Sequence, residues 1–187
     1  MNRQDVLDQA LLTLDSYGFA DLSMRRLAGS LGVQPGALYW HFANKQSLLL
    51  AVADVILADV VALPVQEQWE PVVRRWTSAL RDALLAHRDG AELVSSVLAL
   101  RPTGLDPTAP CVRALAAAGL PPDQARAAAA TLLHFVIGHT VDVQTLAQAR
   151  ALGVAPPGDE EALQSQARSD FDVGVDLVVA GLRARLA

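Results

Sequence analysis

The chain has 187 residues, 52% of them apolar and 19% charged, and its formal net charge is −5; that is enough apolar matter for a sizeable core and excludes disorder and collagen-like repeats. An anionic surface repels phosphates, so a polyanion must be met by a local basic patch rather than by the molecule as a whole. Cys111 is alone, which removes an internal disulfide or a multi-cysteine metal site, and Asp5, Asp8 and Asp15 stand where an export signal would be basic and then apolar, so a cytoplasmic protein without a membrane segment is expected.

Ala, Leu, Gln, Arg, Asp and Glu dominate where alternating β-branched runs would mark strands, so the fold class is all-α. A first helix is expected over residues 4–17, where Leu7, Leu11, Leu14 and Gly18 recur at helical spacing and Gly18 ends the run. Ser23 caps a second through Ser30, with Gly32 as its left-handed stop. A third, very short helix opens at Pro35, after Gln34, and stops at Asn44, which caps a fourth from Lys45 to about Leu63, closed by Pro64. Four blocks follow at residues 71–87, 89–100, 107–118 and 122–151, separated by Gly90, Pro102-Thr103-Gly104 and Gly119-Leu120-Pro121. After the loop from Gly153 to Asp159, two last helices are expected at residues 160–168 and 170–186.

Residues 23–49 read SMRRLAGSLGVQPGALYWHFANKQSLL, which is helix, glycine turn, short helix and capped helix: the outline of a helix-turn-helix. Arg25, Arg26 and Lys45 are its only formal charges, whereas residues 51–187 carry 11 basic against 16 acidic side chains. Lys45 stands in the first turn of a helix, where the macrodipole disfavours a cation by roughly 0.3 to 1 kcal/mol, so its presence asks for an anion. Backbone amides at that end would help hold one. The third helix contains Gly36 and is too short to persist alone; packing through Val33 and Leu38 must hold it, leaving Tyr39, Trp40 and His41 displayed. Aromatic and polar groups on a propped helix beside two arginines suit entry into a DNA major groove.

The string Leu38-Tyr39-Trp40-His41-Phe42 followed by Lys45 resembles the Tet-repressor (TetR) family of transcriptional regulators. Ala83-Leu84-Leu85, His87-Arg88-Asp89-Gly90-Ala91, Arg101-Pro102-Thr103 and the closing Gly181-Leu182 extend the similarity to the tetracycline-repressor branch over most of the chain. The resemblance implies a DNA-binding domain over residues 1–46 and an effector-binding and dimerisation domain over 47–187. It implies a homodimeric, ligand-responsive repressor on a palindromic double-stranded operator, released by a small organic effector. Neither a catalytic role nor a resident metal or cofactor is expected. Arg25 and Gln34 are then expected at base edges, since Arg suits guanine and Gln suits adenine. Tyr39, His41 and Lys45 resemble phosphate clamps, Ala37 suits a thymine methyl, and Gly36 and Trp40 complete the DNA-facing set. Pro35 and Gly36 replace polar residues of the tetracycline branch, so its operator sequence need not carry over.

Positions that contact drug in that branch have changed here: a histidine aligns with Val61, an asparagine with Trp76, and Ala91 to Leu100 contains no histidine. Asp142 aligns with the glutamate near the drug's magnesium ion. Trp76, His134, His139 and Asp142 remain as effector-binding candidates, because polar tips in apolar helices need partners. His134 and His139, five residues apart, diverge by about 140° and do not form a metal pair, whereas His139 and Asp142 share a face. For dimerisation, Ala129, Leu133 and Ile137 in one long helix and Val173, Leu177 and Gly181 in the last are expected at a four-helix seam. Asp89-Gly90 is expected to cap a helix junction that His87-Arg88 tethers, and Cys111 to be exposed or half-buried. The competing reading is a helical interaction module or small-molecule-binding protein that does not bind DNA.

Overall fold

The computed structural model describes residues 1–64, 68–98 and 105–187, and no strand occurs among them. Helix α1 (Arg3–Tyr17) starts on a reciprocal cap: Asn2 accepts from the Asp5 N–H while Asp5 accepts from the Asn2 N–H. Gly18, at φ +87°, ends it and donates its N–H to the Leu14 carbonyl. A single 3₁₀ turn (Phe19–Asp21) leads to α2 (Met24–Ser30), whose Ser23 cap accepts from the Arg26 N–H. Gly32 follows at φ +66°, the expected left-handed stop.

Helix α3 covers only Pro35–Tyr39, shorter than expected, and the Leu38 carbonyl closes its last turn by accepting from both the His41 and the Phe42 N–H. Trp40 therefore sits at the helix end and His41 beyond it. Asn44 caps α4 (Lys45–Val61) by accepting from the Ser47 N–H at 2.8 Å, and Ser47 Oγ accepts in return from the Asn44 N–H.

Five helices follow: α5 (Trp69–Leu85), α6 (Gly90–Leu98), α7 (Ala109–Ala117), α8 (Pro122–Ala151) and α9 (Glu160–Leu186). The two helices expected after residue 160 are one. No glycine or proline stands between Arg168 and Asp170, and the i,i+4 pairs Gln166–Asp170 and Arg168–Asp172 carry the helix across that point. The Arg101-Pro102-Thr103 string and the last two residues expected in the sixth helix lie outside the described residues.

Packing divides the chain into two compact units, Met1–Ala58 with Ala83–Leu105, and Asp59–Asp82 with Asp106–Ala187. In the first, Val6, Leu14, Leu27, Leu38, Phe42 and Leu48 form a core that fixes the three N-terminal helices, and Leu93, Val94 and Val97 of α6 are buried in the same unit. Each fully buried aliphatic side chain contributes roughly 1.5 to 3 kcal/mol of hydrophobic stabilisation, which is how the five-residue α3 persists. The α5–α6 junction adds polar ties within that unit. Asp89, at φ +55°, accepts from the Phe19 N–H at 2.8 Å, His87 Nδ1 lies 3.1 Å from Asp15, and Arg88 donates to the Ser16 carbonyl. A Cβ at Gly18 would press on the Asp89 carboxylate, so glycine there serves both the helix stop and this close approach.

In the second unit α7 packs on α8 and α8 on α9. Trp76, Leu80, Leu115, Leu132, Val136 and Phe171 are buried within it. Cys111, expected near the surface, is fully buried, because Pro110, Ala114 and Leu115 turn the same face of α7 inward; burial pushes its thiol up to about 12. Ala129, Leu133 and Ile137 are likewise inside the subunit's own core rather than on a seam. The exposed stripe of α8 is Ala127, Thr131, His134 and Gly138, and that of α9 contains Val173, Leu177 and Gly181.

Candidate nucleic-acid interface and effector region

The helix-turn-helix holds its small core and turns the rest outward. Leu38 is fully buried under α3, while Tyr39 is 52% and Trp40 90% exposed. Gln34, Gly36, Arg25 and Lys45 are exposed, and Ala37 and His41 half-buried, so every residue expected at DNA has accessible surface. An indole left almost wholly in water buries none of its large apolar area within its own chain, which marks a contact surface.

The three cations of the motif separate into two kinds. Arg26 bonds to Asp21 and stacks 3.9 Å from the centre of the Tyr17 ring, so it closes the α1–α2 corner. Arg25 has no acidic partner among the described residues, and Lys45 has only the Phe19 ring at 5.7 Å. The motif thus exposes two unmatched cations and two aromatics. Such a patch can neutralise backbone phosphates, while Gln34 and the free Arg25 offer bidentate hydrogen-bonding groups for base edges.

The effector candidates do not converge. Trp76 has no exposed surface, and its indole N–H donates to the Pro107 carbonyl at 2.7 Å, so its polar tip is satisfied within the core. His134 and Asp142 are exposed on α8. His139 alone turns toward a second helix: its ring meets Phe171 of α9 edge-on at 5.4 Å and Phe135 at 6.0 Å. Burial first, and then the charge of Arg81, hold its pKa below the ordinary imidazole value, while Asp142 acts on it through charge alone.

Beside His139 lies a residue that the sequence reading passed over. Arg81 of α5 is only 8% exposed, its guanidinium stands 5.3 Å from the centre of the Phe171 ring, and its Nε has no hydrogen-bond partner. The signal was available: Val73, Thr77, Leu80 and Leu84 form the buried stripe of α5, and Arg81 follows Thr77 by four residues on that same face. An open groove of about 660 Å³ near the start of α5 is lined by Trp69, Glu70, Pro71 and Arg74 and includes no effector candidate. Its charges are already paired, since Arg183 and Arg74 both bond to Glu70 and hold that carboxyl below its usual range. Among the described residues no three His, Cys, Asp or Glu side chains converge as a cation site requires, and no helix is long and apolar enough to cross a membrane.

Comparison with known proteins gives two adjoining matches: residues 6–52 to bacterial regulatory proteins of the tetR family, and residues 63–165 to a tetracyclin repressor-like C-terminal domain. The class E tetracycline repressor protein of Escherichia coli is 32% identical, over 100% of this chain and 92% of its own. BioQ, solved with its natural double-stranded DNA operator, superposes with a TM-score of 0.79 at 41% identity, over 98% of this chain and 99% of that one. A tetracycline repressor variant from Acinetobacter baumannii in complex with minocycline superposes with a TM-score of 0.82 at 32% identity, over 100% of this chain and 99% of that one.

Proposed function

The chain belongs to the tetR family of bacterial regulatory proteins, and from that premise we propose that it is a repressor that binds a palindromic DNA operator as a homodimer and leaves it when a small organic effector binds. Residues 1–46 carry the DNA contact and residues 47–187 the effector and the dimer seam. The family consists of transcriptional regulators; this chain acts in the cytoplasm, where the DNA is, and is not an enzyme.

One observation carries the reading. Tyr39 and Trp40 stand exposed at the end of a short, core-anchored helix, and Arg25 and Lys45 of the same helix-turn-helix are exposed without an acidic partner among the described residues. In an acidic chain such a patch has one good use, which is contact with a polyanion. In the mechanism, Lys45, Tyr39 and His41 hold phosphates and fix the register of α3, and Arg25 and Gln34 read base edges. Ala37 meets a thymine methyl, and Gly36 lets the backbone come close. A twofold dimer repeats this at a second half-site, one helical turn or a multiple of it away. The exposed Val173, Leu177 and Gly181 of α9 and the small residues of the outer α8 face support that dimer. BioQ with its operator and the repressor with minocycline support DNA and a small molecule as the two ligand classes.

A gel-shift titration with the DNA flanking the protein's own gene tests this. A sequence-selective complex that weakens steeply with salt is expected. Equal, weak affinity for that DNA and for random duplex overturns the reading.

A further inference from the structure

Arg81 and His139 approach one aromatic ring from two helices, and each brings an unanswered polar atom. Arg81 of α5 and His139 of α8 lie 5.3 and 5.4 Å from the centre of the Phe171 ring of α9. Arg81 Nε–H is buried without an acceptor, and its nearest carboxylate is that of the next residue, Asp82, which is itself exposed and 3.6 Å away. Arg168 brings a second guanidinium to within 5.8 Å of the same ring centre. Among the described residues His139 Nδ1 is buried without a partner, and the Ala167 backbone acts on the same ring to favour its protonation. A neutral imidazole protonated at Nε2 presents a lone pair at Nδ1. The cluster thus sets out a cationic donor and a hydrogen-bond acceptor around an aromatic wall. Gly174 makes that wall possible, because any Cβ there would collide with the Phe135 ring, which stacks on Phe171.

A buried guanidinium whose one carboxylate neighbour is exposed, 3.6 Å away and shared with Arg168 is poorly compensated, and an incoming anion would relieve that cost. We propose that this cluster anchors an organic carboxylate, whose negative end meets Arg81 and whose adjacent hydroxyl or N–H donates to His139 Nδ1. The proposal rests on the effector-responsive reading above and names the chemical class of the effector. The ring that Arg81 and His139 share is buried within this chain. Val173, Leu177 and Gly181 are the outward stripe of α9, and Phe171 lies two residues, about 200°, from Val173 on the inward side.

The test uses the full-length protein and a panel of acetate, octanoate, benzoate and salicylate, each against its neutral amide, read by thermal shift and by gel shift on the operator. At least one carboxylate is expected to raise Tm by about 5 °C at a hundredfold excess over its Kd while its amide does not, and to release DNA. Arg81→Met is expected to lose that rise while its own unliganded Tm stays level or increases. His139→Phe, which keeps the ring contact, is expected to lose any preference for salicylate over benzoate. The proposal is overturned if no carboxylate outperforms its amide, or if the rise survives in Arg81→Met. It also falls if Arg81→Met is several degrees less stable and Arg81→Lys restores it, the mark of a purely structural cation. Wild-type operator binding is scored in the same samples. Binding without any carboxylate response sinks this inference alone, whereas no binding sinks the repressor reading and leaves the thermal shift to decide Arg81.

Discussion

The two compact units treat their charges in opposite ways. In the N-terminal unit Arg25 and Lys45 stand exposed, without an acidic partner among the described residues, in the motif that also exposes Tyr39 and Trp40, and Arg26 alone is tied to an acid within that motif. In the C-terminal unit a network of surface charges around α5 and α9 is matched. Arg74 bonds to Asp176 and Glu70, Arg183 to Glu70, and Arg168 to Asp172, while Arg81, whose Nε has no hydrogen-bond partner among the described residues, is buried. A surface cation in high dielectric loses little by remaining unmatched, and it is free for a phosphate backbone that brings many charges at once. A buried one loses much more, so it suits a small ligand delivered into low dielectric, where a single anion counts heavily. Recognition of a polymer and of a small molecule are thus told apart by where the unmatched charge is kept.

The largest expected effect comes from assigning a residue to the wrong side of that contrast. If Trp76 belongs to the frame rather than to the ligand, Trp76→Ala should destabilise the fold by about 3 to 5 kcal/mol, as loss of a fully buried aromatic does. Denaturant unfolding measures this. A stability near wild type combined with a changed ligand response would return Trp76 to a pocket wall. Next in size is Gly174→Ala, which forces the Phe135 ring off its seat. A loss of about 1 to 3 kcal/mol is expected from such overpacking, with the thermal response to carboxylates weakened alongside. An unchanged Tm would mean that the ring yields freely and that the aromatic wall is not held there.

On the DNA side, Lys45→Ala should weaken binding to operator and random duplex alike, about tenfold at moderate salt, and reduce the slope of log K against log salt by about 0.9. Arg26→Ala, whose guanidinium is already held by Asp21 and Tyr17, should change that slope little. Equal slope changes in both variants would erase the distinction between matched and unmatched cations.

Much of this was legible in the sequence because local chemistry decided it. Ser23 and Asn44 cap the helices they precede, Gly18 and Gly32 take positive φ, and α8 runs from Pro122 to Ala151 as its flanking proline and glycines require. The exposed aromatics followed from a helix too short to bury them. What failed to show was set by packing across distant segments. Ala129, Leu133 and Ile137 share helical spacing with a dimer seam and with an internal core, and periodicity alone does not choose between them. Trp76 read as a polar tip in need of a ligand because Pro107, its acceptor, is 31 residues away. Arg81 drew no reading although it follows Thr77 on the buried face of α5, and the aromatic ring it meets, Phe171 on α9, comes ninety residues later.

The smallest effect concerns protons, and it tests whether His139 is held neutral. The groups that act on it are Arg81 from α5, Asp142 from its own helix, and Asp170 and the Ala167 backbone from α9; burial and Arg81 outweigh the rest and lower its pKa. A lowered native pKa means that below about pH 6.5 the unfolded chain takes up a proton that the folded one resists. The contribution of His139 to stability is therefore complete above the ordinary imidazole value and is lost as pH falls from there through the native pKa. Tm should decline as pH falls below about 6.5 by more in the wild type than in His139→Phe, with a difference in proton uptake of less than one. A bound carboxylate should oppose that decline, because an anion beside the ring makes the imidazolium easier to form. A His139→Phe profile that parallels the wild type, with and without benzoate, would place the imidazole outside the reach of Arg81 and of anything Arg81 holds.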